Sequence, residues 1–270
     1  MEIISIGSSS SGNSYIIKAG SMNLLLDVGL SATKILKAME MCDISPEELD
    51  AVLITHEHID HVRSVRAVAR KCENARFYAS LGTQSGASCF SYVDVERVVT
   101  VGRGDSVILG DVEIRCFGLS HDACEPVGYS ILANGEQLTV VTDTGIVTEE
   151  IFEEMRTADI LVFEANHEEE LLMYGPYPYS VKLRIKSDRG HLSNVSSAET
   201  LVKLLDERSA CDGAEIPSIM LAHLSEKNNT PYQARLTIEE IMRAHGYEAE
   251  KDYIMTIAAM EGLTSIGKGI

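Results

Sequence analysis

The feature that constrains this chain most is a short run, Thr55-His56-Glu57-His58-Ile59-Asp60-His61, set directly after the continuous apolar stretch 50–55. An apolar run of that length bounded by polar residues predicts a buried strand. The residues after it, with apolar side chains at 62, 65, 68 and 69, have helical spacing over 62–71. A strand end and a helix start therefore confine His56, His58, Asp60 and His61 to a small volume. Four ligand-type side chains within six positions, in a chain with only eight histidines, point to a metal site. Imidazole and carboxylate donors suit Zn²⁺, Mn²⁺ or Fe²⁺.

The rest of the chain alternates in the same way. Strands are predicted at 2–6, 14–19, 22–27, 75–80, 105–110, 112–118, 128–133, 138–142, 159–164, 216–223 and 253–258. Helices are predicted at 31–41 with Ser31 as N-cap, and at 148–156, 193–206 and 231–245. No internal repeat or long linker interrupts the pattern, so residues 1–270 read as one domain of α+β character. The six cysteines form no CxxC pair, which points to reduced thiols in a cytoplasmic protein rather than a zinc ribbon or disulfide framework. No apolar run is long enough to span a membrane, and the N-terminus lacks the features of a signal peptide. The net charge of −18 argues against a protein that coats nucleic acid through bulk electrostatics. It leaves room for an enzyme whose positive charge is local, acting within a Debye length of about 8 Å.

Single polar residues at other strand ends complete a pattern. Asp27 ends Leu24-Leu25-Leu26-Asp27, His121 follows the strand at 112–118, Asp143 follows 138–142, and His223 follows 216–222. The HxHxDH run with these four residues resembles the metallo-β-lactamase superfamily, which implies an αββα four-layer sandwich. The resemblance further implies that His56, His58 and His121 hold one divalent metal ion and Asp60, His61 and His223 a second. Asp143 bridges the two, and Asp27 stands behind a ligand and orients it. A bridging carboxylate favours two ions about 3.5–4 Å apart, a geometry suited to in-line attack at phosphorus, with Asp60 also orienting the attacking water. Glu164 in FEANH and His191 in GHLSN resemble the Glu and His motifs of the tRNA 3′-processing ribonucleases, which makes His191 a general acid and Glu164 its orienter. Against that, Ser193 or Asn194 caps the following helix and His191 packs beside it. His167 is left open between a supporting position and solvent.

Candidate substrate contacts are Arg63 and Arg66 on the helix leaving the metal run, Lys182, Arg184 and Lys186 just before His191, and Ser9 and Asn13 in the small polar segment 7–14. Each has a plainer alternative, a solvated face or a tight turn.

Over nearly the whole chain, the stretches GSSSSGNS, LLLDVGLS, ITHEHIDHV, TDTG, FEANHE, GHLSN and LAHLSEKNN resemble the YycJ family, also called WalJ or VicX. The resemblance implies a cytosolic 5′-to-3′ exonuclease on double-stranded DNA, linked to mismatch repair. The 80-residue spacing between Asp143 and His223 leaves no room for the inserted domain of β-CASP nucleases. Competing readings are a small-molecule or cyclic-nucleotide phosphodiesterase and a non-catalytic adaptor in signalling.

Overall fold

The computed structural model describes residues 1–210 and 215–267. The chain opens with a meander of β1 (Glu2–Ser9), β2 (Gly12–Ala19) and β3 (Met22–Leu26), then changes to parallel crossovers through β4 (Ala51–Leu53), β5 (Arg76–Ala79) and β6 (Val98–Thr100). Helix α1 (Ala32–Met41) makes the first crossover. A pair, α2 (Ile59–Val62) and α3 (Val65–Lys71), makes the second, and α4 (Leu81–Gly86) follows β5. The second sheet repeats this plan: β7 (Ser106–Leu109), β8 (Val112–Gly118), β9 (Val127–Ala133) and β10 (Glu136–Val141) meander, and β11 (Ile160–Glu164), β12 (Ser218–Ala222) and β13 (Ile254–Ile257) run parallel. Its crossovers carry α5 (Glu149–Arg156), α6 (Glu169–Tyr174), α7 (Tyr179–Ile185), α8 (Asn194–Ser209) and α9 (Pro231–Ala244). The last strand, β14 (Thr264–Gly267), returns to pair with β1.

Alternation of side chains across each strand builds the layers. Ile3, Ile17, Leu24, Leu26 and Leu53 face Ile131, Leu138, Val140, Val162 and Met220 between the sheets. Their neighbours Ile4, Ile16, Leu25 and Val52 point outward under α1 and α3. Val141, Leu161, Phe163, Ile219 and Leu221 point the other way, under α5, α8 and α9. Three apolar cores separate four layers, the αββα arrangement expected. Among the described residues, no helix is long and apolar enough to cross a membrane. Cys42, Cys72, Cys89, Cys116 and Cys124 are free thiols, and Cys211 lies outside the described residues.

Four local expectations change. The helix expected over 62–71 is two helices. Ser64 leaves helical geometry (φ −105°, ψ 8°), its Oγ donates to Leu30 O at 2.6 Å, and its N–H donates to Val28 O, so the chain turns there. The strand expected at 50–55 leaves the ladder after Leu53, and Thr55 N–H instead donates to Asp27 Oδ1 at 2.9 Å. The polar segment 7–14 is not a flexible loop. Strands β1 and β2 run through it, with Ser8 paired to Asn13 and Ser9 to Gly12, leaving only Ser10 and Ser11 to turn. Finally, the short strands β6 and β14 and the short helices α4, α6 and α7 were not anticipated. Ser31 caps α1, as the sequence predicts.

Candidate metal centre

The parallel strands of both sheets end on one side of the molecule, where crevices beyond strand C-termini collect functional groups. Asp27 follows β3, the 56–61 run follows β4, Asp143 follows β10, Glu164 ends β11 and His223 follows β12. Asp27, Asp143 and His223 take left-handed backbone conformations, with φ of 55°, 59° and 56°. This conformation is costly for residues with a Cβ, and it occurs where each strand stops and its terminal side chain lies at the centre. Gly29 is required nearby, because a Cβ there would sit 1.5 Å from Asp60 O. Only glycine lets the β3 exit pass the turn that carries Asp60 and His61.

The structure brings all seven proposed ligands together. His56 Nε2 and His121 Nε2 lie 2.9 and 3.3 Å from His58 Nδ1. Asp60 Oδ2 is 3.5 Å from His61 Nε2 and 3.9 Å from His223 Nε2. Asp143 stands between the two groups: Oδ1 is 3.3 Å from His223 Nε2 and 3.9 Å from His121 Nε2, and Oδ2 is 3.5 Å from His61 Nε2. Four sets each have donor atoms close enough to share one ion: His56–His58–His121, His56–His61–Asp143, Asp60–His61–His223, and Asp143–Glu164–His191–His223, which adds the Glu164–His191 pair to residues of the other sets. The cluster is buried except at His58, Asp60 and His191, which form its mouth.

Supporting groups fix which nitrogen faces inward. Asp27 accepts from Thr55 N and Oγ1 and lies 2.8 Å from His61 Nδ1, leaving His61 Nε2 inward. His121 Nδ1 lies 3.2 Å from Gly190 O. Glu164, fully buried, lies 2.9 Å from His223 Nδ1 and 2.8 Å from His191 Nδ1 through the same oxygen, Oε1, while Oε2 accepts from Thr144 N and Leu192 N. Metal-ligating histidines commonly hand their outer nitrogen to a carboxylate or carbonyl in this way.

The electrostatics match the geometry. Burial, reinforced by neighbouring imidazoles, holds His56 well below its ordinary pKa, and burial also lowers His121. Both rings are therefore held neutral, the form in which imidazole can bind a metal. Burial also opposes charge on His61 and His223, but Asp27 and Asp143 outweigh it at His61, and Asp143, Asp60 and Glu164 push His223 up to about 10. Burial disfavours ionisation of Asp60, yet hydrogen bonds from His223 and His61 overcome it and hold Asp60 below the usual carboxylate range. The carboxylates thus demand positive charge in this cavity. Two buried atoms that point into it, Asp143 Oδ2 and His223 Nε2, have no hydrogen-bond partner. A divalent cation satisfies both, and an all-nitrogen-and-oxygen donor set suits one.

The remaining candidates divide. Asn13 is buried at the centre, its Nδ2 3.2 Å from His61 Nε2 and donating to Ser9 O. Ser9 is buried too, and its Oγ donates to Glu226, so it offers no open phosphate cradle. Its neighbour Ser8, passed over in sequence, accepts His223 N–H at 2.8 Å. Arg63 and Arg66 are exposed, and Arg66 lies over the Tyr92 ring. Arg184 pairs with Asp122, whose Oδ1 is 3.4 Å from His121 Nε2. Lys182 is committed to Met173 O and Gly175 O, and Lys186 lies 3.9 Å from Glu169. His167 is buried rather than solvent-facing, joins none of the ligand sets, and has an unpartnered Nδ1. Ser193 does cap α8, as the plainer alternative for the GHLSN segment holds, yet His191 still reaches Glu164. Arg189, the last of the four basic side chains in 181–189, donates to His121 O, a role that leaves no local pattern in sequence because the hydrogen bond spans 68 residues.

Residues 22–211 match the family described as the Beta-lactamase superfamily domain. The chain is 37% identical over 236 residues to the exodeoxyribonuclease WalJ of Streptococcus pneumoniae, covering 86% of this chain and 85% of that one. It is 32% identical over 243 residues to the exodeoxyribonuclease YycJ of Bacillus anthracis, covering 90% and 89%. The Zn²⁺-bound crystal structure of PqqB from Methylobacterium extorquens shares the fold, with a TM-score of 0.69 at 17% identity over 99% of this chain and 100% of that one. This chain therefore belongs to the beta-lactamase superfamily and, within it, to the family of WalJ and YycJ.

Proposed function

We propose that this protein is a metal-dependent exodeoxyribonuclease that shortens double-stranded DNA from the 5′ end by hydrolysing its phosphodiester bonds. The observation that carries this reading is Asp143, whose two oxygens face His61, His121 and His223 at once. It divides the donors into a His56–His58–His121 set and an Asp60–His61–His223 set, each fit for one divalent ion. The names of the relatives support the choice of DNA.

Bound divalent cations supply Lewis-acid charge for a phosphoryl oxygen and lower the pKa of water. The chain's own residues do the rest. Asp27 and Glu164 lock the inward nitrogens of His61 and His223. Asp60, at the mouth, orients the attacking water. Glu164 holds His191 through Nδ1, which leaves Nε2 as the nitrogen that delivers a proton to the departing sugar oxygen. The protonated Nε2 is regenerated from solvent, because the His191 side chain is 17% exposed. Arg63 and Arg66, and Arg184 and Lys186 once released from Asp122 and Glu169, supply positive charge for the DNA backbone.

The test is digestion of a duplex labelled separately at each 5′ and 3′ end, with Zn²⁺, Mn²⁺ and Fe²⁺ added in turn to metal-stripped protein and bis-p-nitrophenyl phosphate run in parallel. Loss of mononucleotides from the 5′ end supports the reading. Turnover of the ester with intact duplex overturns it in favour of a small-molecule phosphodiesterase, and turnover of neither leaves the adaptor.

A further inference from the structure

Helices α6 and α7 form a hairpin on the rim of the metal centre. Arg184 of α7 pairs with Asp122 beside His121, Ile185 O accepts His191 N–H at 2.9 Å, and Arg189 donates to His121 O. Gly190 packs so tightly under α7 that a Cβ would lie 2.1 Å from Ile185 O. The hairpin is also stiff. Lys182 Nζ donates to Met173 O and Gly175 O at 2.7 and 2.8 Å, clamping α7 to the end of α6, and Pro176 and Pro178 fix the backbone between them.

Its outer surface is unusual in two respects. Five of the sixteen large apolar side chains exposed among the described residues fall within 171–183: Leu171, Met173, Tyr174, Tyr179 and Leu183. Tyr174 is 90% exposed and Tyr179 66%. Single exposed rings are ordinary, but these two stand on a backbone held by the Lys182 clamp and the two prolines, and each tyrosine has few torsions to lose on binding. Second, four basic side chains, Lys182, Arg184, Lys186 and Arg189, fall within eight residues of α7 and the turn after it, so that with Glu168, Glu169, Glu170 and Asp188 the segment 168–190 is neutral (4 − 4 = 0) in a chain of net charge −18. Aromatic rings beside basic side chains are the chemistry that holds single-stranded nucleic acid, the rings stacking on bases and the cations tracking phosphates.

We propose that Tyr174 and Tyr179 are a stacking platform for unpaired bases at the strand end being fed to the metal centre. This rests on the nuclease reading above and adds where the frayed end is held. Tyr179 lies five residues from Arg184, about 8 Å along the helix, a span of about two stacked nucleotides. The platform therefore engages bases close to the cleaved bond and selects ends that are already open.

The test measures binding by fluorescence anisotropy, with chelator present so that no cleavage occurs. The probes are two duplexes with a short single-stranded overhang, identical except that one overhang is abasic. The native protein binds the intact overhang at least tenfold more tightly. Tyr174→Ala/Tyr179→Ala binds both probes equally, at the abasic level, and Tyr174→Phe/Tyr179→Phe restores the preference, since stacking needs the ring and not the hydroxyl. Thermal melts of all three proteins verify folding. Equal binding of both probes by the native protein, or a preference that survives the alanine pair, overturns the platform. So does a change of mass in sedimentation for the alanine pair, which would make this surface a contact between copies of the chain. A native preference lost in the alanine pair, with no DNA cleaved under any metal, would sink the nuclease reading and leave the platform standing.

Discussion

His167 offers a prediction whose size follows from its surroundings. The ring is buried beneath the Ser193 turn, its Nδ1 has no partner, and burial lowers its pKa to about 4 despite the nearby Glu164. In the unfolded chain it titrates near 6.5. Because the folded value is the lower one, His167 contributes its full stability above pH 6.5, and that contribution is lost as pH falls toward 4. The gap of about 2.5 units (6.5 minus about 4), at about 1.4 kcal/mol each, sets a limit of about 3.5 kcal/mol. About 2.5 kcal/mol of this is reached at roughly pH 4.5. Urea unfolding of the native chain and of His167→Leu, in chelator at about pH 7.5 and about pH 4.5, isolates the effect, because every other titrating group is common to both. The native chain should lose about 2.5 kcal/mol more than the variant between the two conditions. Equal losses would refute the argument and mean that the imidazole is hydrated or paired in the folded protein.

Other outcomes follow from the same structure. Metal affinity rises with pH and binding releases protons, since His61 and His223 are held protonated by their carboxylates and must deprotonate to become ligands. Calorimetry in two buffers of different ionisation enthalpy measures the release, and a buffer-independent enthalpy would contradict it. His191→Gln slows hydrolysis of DNA by about 10²–10⁴-fold but barely affects bis-p-nitrophenyl phosphate, whose leaving group needs no proton. Equal slowing of both would remove His191 from the acid role. Asp143→Ala lowers both activities by about 10³-fold and reduces bound metal by elemental analysis. Gly29→Ala, whose added methyl collides with the Asp60 carbonyl, weakens metal binding while every donor side chain is kept, and unchanged metal content would show that the loop yields.

Much of this was legible because strands that end at a site leave local marks. Asp27, Asp143 and His223 each stand at the close of an apolar run, and the 56–61 run is compact enough to identify alone. The failures share a cause: they depend on contacts between distant segments. That Glu164 Oε1 serves His223, 59 residues away, as well as His191 has no sequence signature. Ser8 was passed over for Ser9 because a run of serines hides which one faces inward until the strand register is known. Strands β6 and β14 are only three and four residues long and gain their pairing from neighbours. The break at Ser64 follows from hydrogen bonds to Val28 and Leu30, which helical periodicity cannot register.

The left-handed conformations of Asp27, Asp143 and His223 bear on how such a chain ages. Each costs on the order of 1–3 kcal/mol, and glycine or asparagine would relieve part of that. A search for thermostable variants that ignores activity should therefore enrich replacements at these positions and dismantle the centre early. A duplicated copy released from catalysis would be expected to drift toward glycine at 27, 143 and 223 while its apolar layers persist, so these turns would record lost activity sooner than the core does.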